Sequence, residues 1–321
     1  MARRMILAAL ALLAAGCGTP SFLVTPVSHT HKLQEHRLTR GSRDKVAIIE
    51  VEGMLINART GGFMQPTENK LSLFTEQLNR AAADENVKAV VLRVNSPGGT
   101  VTTSDTMYEM LRRFKEKTKK PVVASFQEVA ASGAYYLSCA ADRIVAHPTS
   151  VVGSIGVIFN TMEFSGAMSK LGVRAESIKS GPLKDMGSPF HALTSEERAV
   201  MQAMVDEYYN RFVSVVRTNR PTAADKVKMT TATDGRVFSG IQAQELGLVD
   251  ETGMLPDAIK IARKLAKSPD ATVVMYKRPF GFKGSIYANG PTPERSPNVM
   301  QLEIPGANSM LPTGFYYMWQ P

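Results

Sequence analysis

This chain of 321 residues has two cysteines, one tryptophan and five histidines. It shows no internal repeat, and its first apolar run, Met5 to Ala15, is too short to cross a bilayer as a helix. Neither G-x-x-x-x-G-K-[S/T] nor G-x-G-x-x-G occurs, which argues against a nucleotide-binding protein. There is no basic block and no stacking pattern of aromatics. The net charge of +9 therefore suits an anionic membrane surface better than nucleic acid. With 44% hydrophobic and 21% charged residues, the chain can bury the core of one large or two modest domains.

The N-terminus carries an export pattern. Arg3 and Arg4 precede the short apolar run, and Leu13-Ala14-Ala15-Gly16-Cys17 resembles a bacterial lipobox, with Ala14 at the usual large aliphatic position. Residues 1–16 are expected to be a lipoprotein signal peptide, removed so that lipidated Cys17 becomes the N-terminus. Cys139 is then the one remaining cysteine, no intrachain disulfide is possible, and Cys139 reads as a small buried hydrophobe. Residues 17–44 are polar, with His29, His31 and His36 among Lys32, Arg37, Arg40 and Arg43, and read as a solvated tether from membrane to body.

The folded body is expected over 45–276. VAIIEVEGML from Val46 is a buried strand, Leu71 to Ala83 a helix, and Val87 to Val94 a second buried strand of near-continuous apolar character, as parallel sheets require. Asn95-Ser96-Pro97-Gly98-Gly99 follows, then a helix from about Ser104 to Lys117. A strand over Val122 to Phe126, a small-residue turn and a helix near Ser132 repeat the pattern. Arg143 to Ala146 is another strand, followed by a Gly-punctuated apolar run, Val151 to Phe159. This is βαβ logic, and ligands in such α/β folds sit at the carboxyl ends of the strands, where both glycine turns fall.

Ser132 lies between Ala131 and Gly133 where a strand turns into a helix. Small neighbours admit a substrate backbone, and the first amides of the new helix lack intrahelical partners, so they point at a developing oxyanion. Ser132 is thus a candidate nucleophile, with a plain N-cap as the competing reading. The Gly98-Gly99 turn offers a bare amide for the same oxyanion. The base is open among three residues. His147 and His191 are the histidines of the body, and Lys184 sits in the loop SGPLKDMGSPF, where partial desolvation would free it to take a proton.

These motifs carry a family resemblance. NSPGG at 95–99, ASGAYYLSCAADRIVAHPTSVVGSIGV at 131–157, SGPLKDMGSP at 180–189 and GRVFSGIQAQELGLVDETG at 235–253 are similar, in the same order, to the signal peptide peptidase (SppA-type) family of serine peptidases. The resemblance implies a crotonase/Clp protease-like α/β fold of repeated ββα units with helical extensions. It implies Ser132 as nucleophile, Lys184 as general base, and oxyanion amides from Gly133 and from Gly98 or Gly99, with Gly98 preferred. Thr100 stands where the family usually has a third glycine, and Ala134 where many members have Gly-Gly after the serine.

The chain resembles the single-length form of the family. That form implies a ring-like homo-oligomer whose lysine reaches a neighbouring protomer's serine, open to peptides or unfolded proteins. No cofactor, metal or nucleic acid is expected. The implied activity is that of a lipid-anchored endopeptidase in the bacterial cell envelope, outside the cytoplasm, clearing remnant signal peptides or unfolded exported proteins. A crotonase-type acyl-CoA enzyme and an inactive membrane scaffold are the competing classes.

The remainder supports the body. Thr194 to Arg217 predicts a long helix opened by a Thr194/Glu197 capping box. Short helices follow over Ser239 to Leu246 and Met254 to Ala266, and a last strand over Ala271 to Tyr276. Residues 277–321, with seven prolines and five glycines, are expected to be extended and irregular, their terminal aromatics docking on protein.

Overall fold

The computed structural model describes residues 32–58, 68–221, 226–278 and 313–320. The leader, Cys17, His29, His31 and residues 279–312 of the tail lie outside them. In chain order the first elements are β1 (Gln34–Arg37), β2 (Ser42–Glu52), α1 (Lys70–Ala83), β3 (Val87–Ser96), β4 (Gly98–Thr100), α2 (Val101–Thr118), β5 (Val122–Ala131) and α3 (Gly133–Ser138). Then come β6 (Arg143–Ala146), β7 (Val151–Gly153), β8 (Ile158–Asn160), α4 (Ser165–Lys170), α5 (Ser195–Asn219), α6 (Lys226–Ala232), β9 (Val237–Ser239), α7 (Gly240–Glu245), β10 (Glu251–Thr252), α8 (Leu255–Leu265), β11 (Ala271–Lys277) and β12 (Gly314–Met318).

The fold is α/β. Its main sheet runs β1-β11-β2-β3-β5-β6-β10, with β7 on the far half of β5 and β9 on β7. Every pairing from β11 to β10 along that path is parallel. Both faces are covered, which is why Val46–Ile49 and Val90–Leu92 are apolar without alternation. One face (Val46, Ile48, Val91, Val123, Val273) packs on Leu255, Ile259 and Ala262 of α8. The other (Ala47, Ile49, Leu92, Val94, Ala124) packs on Phe74 and Leu78 of α1 and Met107 and Leu111 of α2. The helix stops follow local chemistry. Asn69 accepts from the Ser72 amide at 3.0 Å to open α1, and left-handed Lys119 closes α2. The predicted capping box of α5 is present, with both Thr194–Glu197 bonds made.

Three expectations are corrected. Strand β5 does not stop at Phe126. It pairs with β6 as far as Phe126↔Ala146, then passes polar Gln127 and Glu128 and pairs Val129–Ala131 with β7. The polar pair hides that continuation in the sequence. The tether ends earlier than residue 44, because β1 adds antiparallel to β11 and Leu33 is buried. Lys45, expected to open the body, instead bridges Glu35 of β1 at 2.7 Å and Asp84 at 2.8 Å. Nor is the whole tail irregular. Strand β12 forms a second, three-stranded sheet between β4 and β8, and Tyr317 is fully buried. Its ring stacks on Tyr136 at 5.1 Å and meets Phe212 at 4.8 Å. The terminal aromatics thus dock on the body. Among the described residues no helix is long and apolar enough to cross a membrane.

Candidate active site

The two glycine turns meet at the carboxyl ends of β3 and β5. Strand β5 ends at Ala131, and Ser132 takes φ 52 and ψ −117 before α3 begins. That left-handed conformation is costly for a residue with a side chain. It is held from both sides: the Ser132 amide donates to the Gly153 carbonyl at 2.7 Å, and its carbonyl accepts from the Tyr136 amide at 2.8 Å. Behind it, Tyr135 donates to the Leu248 carbonyl at 2.8 Å and Tyr136 to Asp105 Oδ1 at 2.6 Å, so α3 cannot slide. The Ser132 side chain is not an N-cap, since it makes no capping bond. Its Oγ is shut from solvent and has no hydrogen-bond partner. A buried, unsatisfied hydroxyl on a strained turn is a standing cost of the kind found where chemistry needs it.

Glycine is obligatory on both sides of that hydroxyl. A Cβ at Gly133 would overlap Ser104 Oγ and sit 3.0 Å from the Tyr317 carbonyl oxygen. Gly98, at φ 98, would push a Cβ into the same carbonyl oxygen and to 2.7 Å from the Gly133 amide nitrogen. The turns therefore touch backbone to backbone. The Gly133 amide opens α3, where no intrahelical acceptor exists for it. The Gly98 amide donates to Ser96 Oγ at 3.1 Å, while Ser96 donates to the Gly53 carbonyl at 2.6 Å. Gly99 lies on β4, in register with Tyr317 of β12.

Lys184 is elsewhere in character. It lies in a run of turns between α4 and α5, its amide donating to the Gly181 carbonyl at 3.2 Å, and its side chain is exposed. The expected burial is absent. Since Ser132 Oγ is unpartnered, neither Lys184 nor a histidine among the described residues bonds it within the protomer. His147 is engaged locally, its Nδ1 2.8 Å from Thr149 Oγ1. His191 faces Asp185 at 3.5 Å and Glu197 at 3.8 Å. The bond from His191 to the Ala192 carbonyl, with the two carboxylates, holds its imidazole above the ordinary histidine range. Cys139 is fully buried, and burial pushes its thiol up to about 11, so it is no nucleophile near neutrality.

Ser154 went unnoticed in the sequence. It follows Gly153 (φ 97), itself takes φ 50, and its amide donates to the Arg236 carbonyl at 2.8 Å. Ala131 pairs with Gly153, so Ser132 and Ser154, two of the four non-glycine residues with positive φ among those described, leave neighbouring strands side by side. A signal was present, since a serine flanked by Gly153 and Ile155-Gly156 is built like the turn around Ser132.

The profile of peptidase family S49 matches residues 114–268, and that of Clp protease matches residues 42–153. A provisionally named signal peptide peptidase SppA of Enterococcus faecium is 37% identical over 262 residues, spanning 81% of this chain and 75% of that protein. A provisionally named protease of Synechocystis is 37% identical over 225 residues, 70% of this chain and 76% of that one. Protease 4 of Salmonella typhi is 39% identical over 196 residues, 60% of this chain but 30% of its own.

Proposed function

Since the chain belongs to peptidase family S49, we propose that it is a serine endopeptidase using Ser132 as nucleophile and Lys184 as general base, the lysine supplied by a neighbouring protomer. The observation that carries this reading is the Ser132 hydroxyl, buried, unsatisfied and strained beside Gly133 and Gly98, with no base of its own protomer in contact. Unprotonated Lys184 removes the Ser132 proton as Oγ attacks the scissile carbonyl. The oxyanion would be held by the Gly133 amide and by that of Gly99, or of Gly98 once it leaves Ser96 Oγ. The lysinium then protonates the leaving amine, and water, deprotonated by the same lysine, hydrolyses the ester.

The segment carrying Lys184 supports assembly. Met162, Phe164, Leu171, Val173, Ile178 and Phe190 all expose apolar surface there, Ile178 at 102% and Leu171 at 79%. Such a concentration suits a contact with a second copy. The chain would form a ring with its serines facing inward, lipid-anchored through Cys17 in the cell envelope. It would take remnant signal peptides or unfolded exported protein, which are extended enough to enter. Two acyl chains on Cys17 would suffice for stable anchoring where one would be marginal.

Mixing the two inactive variants tests the arrangement. Ser132→Ala and Lys184→Ala assembled together should recover about a quarter of wild-type peptide cleavage if each site draws on two protomers, and nothing if it does not. A fluorophosphonate probe should label wild-type protein at Ser132 alone; labelling that persists in Ser132→Ala would end the proposal. Mass spectrometry of the mature protein should find a diacylglyceryl group on an N-terminal Cys17. An unmodified start elsewhere, in protein washed free of membranes, rules the anchor out.

A further inference from the structure

Asp185, His191 and Glu197 converge where the Lys184 loop meets the first turn of α5, their nearest ligand-capable atoms all within 4.8 Å of one another. Each side chain has one atom held by a separate group. Asp185 Oδ1 accepts from Lys179 Nζ at 2.6 Å. His191 Nδ1 lies 3.0 Å from the Ala192 carbonyl, so in the neutral ring the proton sits on Nδ1. Glu197 Oε2 accepts from the Thr194 amide at 2.8 Å. The opposite atoms, Asp185 Oδ2, His191 Nε2 and Glu197 Oε1, are thereby turned toward one another. Outer-shell anchoring of this kind is what orients the ligands of metal centres.

The distances are long for hydrogen bonds and near those across a shared ion. Nε2 is 3.5 Å from Asp185 Oδ2 and 3.8 Å from Glu197 Oε1. Nε2 has no hydrogen-bond partner and is shut from solvent, and Glu197 is 2% exposed. A tetrahedral ion with bonds of about 2.0–2.1 Å holds its ligand atoms roughly 3.3 Å apart, so small movements would close the set. We propose that Asp185, His191 and Glu197 form a binding site for a divalent transition-metal cation of the Zn²⁺ type, with one position left to water. Bound metal ties residue 185 to α5 and so fixes the backbone next to Lys184. The site itself does not depend on the role proposed for Ser132, and Ser132→Ala protein should bind the same ion.

A proton competes for the same Nε2 atom and would leave an imidazolium between the two carboxylates. The experiment separates the two. Full-length protein carrying His29→Ala and His31→Ala, which removes tether imidazoles, is titrated calorimetrically with Zn²⁺ at about pH 7.5, above the ordinary histidine value of about 6.5. The expected result is one ion per chain. His191→Ala and Asp185→Asn should each weaken binding roughly tenfold or more, as should lowering the pH by about two units. Hydrogen exchange of amides 180–190 should slow with Zn²⁺ and not respond in His191→Ala. Should either variant fail to fold, Co²⁺ bound to the parent should still give visible absorption bands. No stoichiometric metal, or binding unchanged in both folded variants, would leave an ion pair only and overturn the site.

Discussion

The surroundings of Ser132 and those of Lys184 are built on opposite terms. Ser132 stands at the end of β5, against α3, β4, β7 and β12, with its backbone bonded on both sides and no space for a Cβ on the flanking glycine or on Gly98. Lys184 stands on turns, exposed, in a segment whose large apolar side chains face outward. A nucleophile that stores strain needs a frame that over-determines it. A base supplied across a subunit contact needs only to be presented, and the contact completes its surroundings. On the proposed dyad, one half would be finished by folding and the other by assembly.

The comparison breaks most directly at its two ends. Ser132→Ala and Lys184→Ala should each lower kcat/KM by about a thousandfold or more, and the double variant should be no worse, since the pair acts as a unit. Lys184→Ala with near-normal peptide cleavage would return the base to His191 or His147. The frame should yield next. Tyr317 is fully enclosed by Tyr136 and Phe212, and Tyr317→Ala should cost about 3–5 kcal/mol in denaturant unfolding. A cost under 1 kcal/mol would show that β12 is not part of the frame. Gly133→Ala should reduce kcat roughly a hundredfold, because a Cβ forced against Ser104 Oγ and the Tyr317 carbonyl displaces the amide proposed to hold the oxyanion.

The exposed half should respond in assembly rather than in folding. Ile178→Asp should leave the circular-dichroism spectrum of the folded chain unchanged while sedimentation shows smaller species and activity falls with them. Unchanged sedimentation would remove Ile178 from the contact. The smallest effect concerns His191. Its pKa is raised in the folded chain, so its stabilising contribution is full below the unfolded value of about 6.5 and fades as pH rises through the folded value. His191→Gln should flatten that slope, and an equal slope in both proteins would show that the two carboxylates do not act on the ring.

Much of this architecture can be read along the chain because its causes are local. The Thr194/Glu197 box, the apolar runs of β2 and β3 and the small-residue turn at Ser132 are short-range patterns, and each appears where it was expected. Three features were missed for one reason. Strand β1 is QEHR, a polar edge held by β11's backbone; β5 crosses polar Gln127-Glu128 by exchanging β6 for β7; and β12 follows a Pro/Gly-rich tail. Each depends on a partner distant in sequence, which periodicity does not record. Ser154 belongs with them, since its conformation matters only because Ala131 pairs with Gly153.

By itself the sequence determined which residues could do the chemistry: a serine between small neighbours, a lysine in a loop, and glycines where a side chain would not fit. Tertiary structure alone decided that Gly98 and Gly133 touch, that Tyr317 closes over both, and that no side chain among the described residues bonds the Ser132 hydroxyl. Residue types and their order follow from the chain. Which atoms meet depends on how strands far apart in sequence stack at the carboxyl edge of one sheet, and only packing sets that.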